Sequence, residues 1–115
     1  MIRSRYTLAD FIEETQHTAQ VRKREVYRGD WVLVRTCNSV YTIRMLDDHH
    51  CLVSGGWFDR HGLSPVVTSI TGCSWGGCMI KTDIIAACGL CLEFGNRVIT
   101  SPIRAIVLFP YWISN

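Results

Sequence analysis

The chain has 115 residues, 48% of them hydrophobic and 19% charged, with a formal net charge of +2. That length can bury a core without disulfide staples, so one domain over residues 1–115 is expected, and the small charge does not announce nucleic acid as a partner. The longest strictly apolar run, Ala105 to Phe109, falls far short of the roughly 20 residues that a bilayer-spanning helix needs, so no membrane is expected.

Residues Met1 to Tyr6 lack an apolar signal core, which predicts a cytosolic protein whose six cysteines are reduced thiols or metal ligands. Ten of the twelve basic residues are arginine, the side chain suited to bidentate contacts with carboxylates and phosphates, although a genomic bias accounts for the same count.

In chain order, Thr7 and Asp10 stand as an N-cap pair with Asp replacing the usual Glu or Gln. Leu8, Phe11 and Ile12 then recur at helical spacing, which predicts one short N-terminal α-helix over residues 8–21. Arg22, Lys23, Arg24 and Arg28 follow its end, where the helix dipole favours cations whether or not they bind anything.

From Trp31 the period changes to two. Trp31 to Thr36 reads as a central strand. Val40 to Leu46 alternates, with Tyr41, Ile43 and Met45 on one face and Thr42 and Arg44 on the other, and Asn38-Ser39 forms the turn between the two. Further strands are expected at Cys51 to Ser54, Val66 to Thr71 and Met79 to Ile85. A hairpin joins Leu90–Phe94 to Arg97–Ser101 through a two-residue loop, Gly95-Asn96, setting Leu92 opposite Ile99. Pro102 interrupts, and Ile103 to Phe109 is the last strand. With no crossover helix between strands, the fold class is mainly β: a small barrel or sandwich over residues 31–109. The opening Gly29-Asp30-Trp31-Val32-Leu33-Val34 resembles the first strand of many SH3-like barrels, which implies that fold and no particular activity.

Four constellations bear on chemistry. Asp48-His49-His50-Cys51 is similar to the tetrapeptide of the DHHC protein acyltransferases, but over those four residues only. That family is membrane-embedded and carries the motif in a cysteine-rich zinc-binding segment, whereas here only Cys37 precedes it, so the match is read as chance. Cys73-x4-Cys78 followed by Cys88-x2-Cys91 has ligand-like spacing for zinc. The preferred reading is buried or scattered thiols with no cofactor, because Cys91 belongs to an alternating strand. A small cysteine-dependent enzyme would need one of His17, His49, His50 or His61 brought beside a nucleophile, which spacing alone does not supply.

The remaining candidate is the stretch Gly55 to Gly62. Its Trp57, Phe58, Arg60 and His61, joined by Trp75, suit stacking and cationic contacts with weakly bound single-stranded nucleic acid or a peptide. The structural alternative is that each tryptophan fills space left by neighbouring glycines. These observations point to a non-catalytic binding or assembly module. The apolar excess and the aromatic segment Phe109 to Ile113 further imply a homo-oligomer that buries this segment or a sheet edge.

Overall fold

The computed structural model describes residues 7–14, 16–76 and 78–111. A short helix α1 (Leu8–Glu14) leads into strand β1 (Gln20–Arg22) and a 3-10 turn (Lys23–Glu25). There follow β2 (Trp31–Thr36), β3 (Val40–Met45), β4 (Cys51–Gly55), a second helix α2 (Gly56–Arg60), β5 (Val66–Thr68), β6 (Ile70–Ser74), β7 (Ile84–Ala87), β8 (Cys91–Phe94) and β9 (Ile99–Phe109).

The predicted N-cap is present: Thr7 Oγ1 accepts from the Asp10 amide at 3.1 Å and Asp10 Oδ2 accepts from the Thr7 amide at 2.9 Å. The helix is half as long as predicted. Its large apolar side chains end at Ile12, and residues 16–20 offer only the small Ala19 at helical spacing. The backbone becomes extended instead, and Val21 pairs with Ala86 of β7. Arg22, Lys23 and Arg24 therefore do not cap a helix C-terminus; they sit where a small ribbon turns toward the main sheet.

Seven strands form one antiparallel sheet in the order β5-β4-β3-β2-β9-β8-β6, and β1 and β7 form the separate ribbon. The valine-rich β2 is central, as expected, and it is buried on both faces. Val32 and Val34 join the main core, while Leu33 packs with Ala105, Val107 and Ile12 of α1 in a smaller cluster on the outer face. The predicted alternation of β3 holds, with Tyr41 and Ile43 buried and Arg44 exposed.

Several expectations are corrected. The run from Val66 to Thr71 is two strands: β5 pairs with β4 at one edge of the sheet and β6 pairs with β8 at the other. Only Ser69 separates them, so the sheet curls until its edges meet there, and no ladder between β5 and β6 closes it into a barrel. Residues 79–83 are not strand, because the polar Lys81-Thr82-Asp83 forms a turn and only Ile84–Ala87 is apolar enough to be buried throughout. The last hairpin is shifted by one residue, with Glu93 opposite Ile99. The Arg97 amide bonds the Phe94 carbonyl at 3.0 Å and Arg97 takes a φ of 70°, so the loop has three residues rather than two. Pro102 does not interrupt β9; it lies where pairing with β8 is irregular, so its missing N–H breaks no regular ladder. Of the aromatic segment, Phe109 pairs with Trp31, whereas Trp112 and Ile113 lie outside the described residues. Among the described residues no helix is long and apolar enough to cross a membrane.

Candidate binding cavity

The β2–β3 hairpin sets Trp31 opposite Arg44, and its flanks continue the approach beyond the strands. The Gly29 amide donates to the Met45 carbonyl at 2.7 Å, and the Met45 amide to the Asp30 carbonyl at 2.9 Å. This brings the basic segment 23–28 against the polar loop 47–50. Between them and the seam at Ser69 lies a cavity of about 590 Å3, within the size range of small-molecule sites. Val26, Met45, Ile70 and Ile85 form its apolar lining, and Lys23, Arg24, Arg28, Asp47, Asp48, His49 and His50 its polar rim.

Asp47 organises the polar loop. Its carboxylate accepts from the His49 amide at 2.7 Å and the His50 amide at 2.8 Å, and lies 3.1 Å from His50 Nδ1. The His49 amide is the chief reason that this carboxyl is held below its usual range, with the His50 ring and amide adding to it. On the opposite rim Lys23 Nζ donates to the Thr71 carbonyl at 3.3 Å. Arg24, Arg28, Asp48 and His49 make no side-chain hydrogen bond or ion pair among the described residues. Two guanidinium groups thus face the cavity mouth uncommitted.

The turn that carries Arg28 is anchored from below. Asp30 is 3% exposed, and its carboxylate accepts from the amides of Tyr27 at 2.8 Å and Tyr111 at 3.0 Å.

Asp48, His49, His50 and Cys51 all line this cavity but do not act as a unit. The first three are exposed. Cys51 is buried with its thiol directed at the Thr68 carbonyl, 3.5 Å away, and burial pushes its pKa up to about 12. A thiol so placed is held in its neutral form and is engaged with a backbone carbonyl.

Trp57, Phe58, Arg60 and His61 do come together, on and just after α2. Phe58 is fully buried, 5.1 Å from the Phe94 ring and 6.2 Å from that of Tyr41, both edge-on. Trp57 is half-buried; it stacks on His61 at 3.8 Å, and its amide donates to Tyr41 Oη at 3.1 Å. Arg60 donates to Ser39 Oγ at 3.0 Å. Trp75 lies elsewhere, exposed beside Lys81.

All six thiols are free. Cys73 and Cys91 are buried, whereas Cys78 and Cys88 are exposed. Cys73 donates to the Ile85 carbonyl at 3.4 Å and Cys88 to that of Arg104 at 3.7 Å, so these two thiols have separate partners. Among the described residues no group of three or more His, Cys, Asp or Glu side chains is arranged to hold a metal ion.

The cavity was not anticipated, although both of its walls drew notice in the sequence as separate motifs. The available signal was the hairpin register: opposed positions in β2 and β3 sum to 75, which brings the residues just before Trp31 toward those just after Arg44. No protein family, curated protein or solved structure matches the chain.

Proposed function

We propose that this protein is a non-catalytic binding module that takes a ligand with an apolar body and an anionic group into the cavity between residues 23–28 and 47–50. The observation that carries this reading is the juxtaposition of an apolar lining with two uncommitted arginines at the rim. Burying the ligand's apolar body contributes about 25 cal/mol per Å2 removed from water, and a guanidinium pairs with a carboxylate or phosphate by two parallel hydrogen bonds. Asp47, already bonded within its own loop, competes little for those arginines, which leaves Asp48 as the one uncommitted carboxylate in the described lining against two guanidinium groups. The neutral, buried thiol of Cys51 supports binding over nucleophilic catalysis. The opening Gly29–Val34 supports kinship with SH3-like barrels as part of the same reading.

Calorimetric titration with decanoate, decanol and acetate tests the proposal. Decanoate is expected to bind at least about tenfold more tightly than decanol, which lacks the charge, and than acetate, which lacks the body. Arg24→Gln with Arg28→Gln should remove the preference for decanoate over decanol, and Ile70→Gln should weaken both. Equal affinities for the three probes, or a charge preference indifferent to the arginines, would sink the idea.

A further inference from the structure

The β1–β7 ribbon separates two cavities. Lys23 and Ile85 line the one described above, whereas Arg22 and Ile84, the residue before each in the chain, line a second of about 440 Å3. Gln20, Trp75, Lys81 and Asp83 supply its chemistry. This second space is of a different kind: polar groups dominate, and its one large aromatic side chain stands at the rim.

We propose that the second cavity binds a nucleoside monophosphate unit. Trp75 is 53% exposed, and Lys81 Nζ lies over one side of its ring, 6.0 Å from the centroid, so an exposed indole and a cation stand together. A purine or pyrimidine stacks on an exposed indole whatever its identity, because every base has a π-face. Arg22 and Lys81 bring two positive charges to one cavity, and among the described residues neither forms an ion pair or a side-chain hydrogen bond. Two cations stand against one carboxylate, Asp83, in this lining, so the cavity carries net positive charge and favours a phosphate. Among the described residues Asp83 also lacks an ion pair, and its carboxylate is an acceptor for ribose hydroxyls. The Gln20 amide, donor and acceptor at once, suits a base edge. Aromatic shelf, cation pair, carboxylate and amide match base, phosphate, sugar and base edge in one space of ligand size. A simple anion would leave Trp75 and Asp83 without a role, and a neutral aromatic would leave that positive charge unmatched.

The test uses the full chain in low-salt calorimetric titrations with AMP, adenosine, ribose 5-phosphate and a single-stranded oligoadenylate of roughly ten nucleotides. AMP is expected to bind at one site, with adenosine and ribose 5-phosphate each at least about tenfold weaker because each lacks one half of the contacts. Trp75→Ala should weaken AMP by about tenfold or more, while Trp75→Phe retains most of the affinity. Arg22→Gln with Lys81→Gln should weaken AMP and leave adenosine unchanged. An oligonucleotide that binds more tightly than AMP, with the same response to the variants, makes the natural source a nucleic acid; equal affinities make it a free nucleotide. Absence of saturable binding of both AMP and the oligonucleotide at millimolar concentration, or binding indifferent to Trp75→Ala, would overturn the proposal. Arg28→Gln lies in the first cavity and should leave AMP affinity unchanged, so the two sites stand or fall separately.

Discussion

A cysteine's place in the sheet decides its chemistry. Burial pushes Cys51 up to about 12 and Cys73 up to about 11 from an ordinary thiol value of 9.0, and each donates its proton to a backbone carbonyl. The sign of the consequence follows from linkage. Above about pH 9 the unfolded chain loses these protons while the folded one keeps them, so stability falls as pH rises. The contribution is complete below pH 9 and is lost between there and the folded values, at up to about 1.4 kcal/mol per pH unit for each thiol. Urea denaturation from pH 8 to 10.5 should show this decline, and Cys51→Ala with Cys73→Ala should flatten it. An unchanged slope in the double variant would contradict the assignment.

At the scale of the element, α2 shows why aromatic clustering in a sequence is ambiguous. Trp57 and Phe58 are adjacent, and the helical turn sends them to different surroundings. Phe58 fills the centre of the main core beside Tyr41 and Phe94, whereas Trp57 covers the edge of that core and stacks on His61. Gly55 makes the entry possible. Its φ of 104° is a left-handed value, and a Cβ there would collide with the Val40 carbonyl oxygen. Phe58→Ala should cost about 3–5 kcal/mol in denaturant unfolding, the range for an aromatic removed from a packed core. A loss below about 1 kcal/mol would mean that the core collapses around the gap far more readily than this packing implies.

The parts of the larger cavity belong to distant stretches of chain, and one buried carboxylate ties them at the scale of the whole molecule. Asp30 holds the turn at Tyr27, receives Tyr111 from the far end of the described chain, and lies in the backbone pairing with Met45. Asp30→Ala strands two amides, so a loss of about 1.5–3 kcal/mol is expected. Tyr27 and Tyr111 are exposed, and water reaching their freed amides should keep the loss toward the low end. The same variant should weaken decanoate binding, because Arg28 sits on the turn that Asp30 anchors. Urea unfolding and the decanoate titration read the two effects separately, and a variant of unchanged stability would contradict the anchoring role.

What the sequence determined by itself is local. The Thr7–Asp10 cap, the valine-rich centre at Trp31–Thr36 and the alternation of Val40–Met45 each depend on neighbours within a few residues, and each is found in place. The end of α1 and the three-residue loop at Gly95–Arg97 are local too, yet they turned on choices that composition leaves balanced: whether a weakly amphipathic stretch stays helical, and whether Arg97 takes a positive φ. Which edge of the sheet a strand joins is not written in its own residues. Val66–Thr68 and Ile70–Ser74 look continuous, and only the curl of seven strands sends them to opposite edges with Ser69 between. Both cavities follow from that curl and from the docking of the β1–β7 ribbon. The Arg24 and Asp47 walls meet at the open end of the β2–β3 hairpin, but the seam at Ser69 that completes the cavity depends on the curl of all seven strands, a long-range effect that no single motif displays.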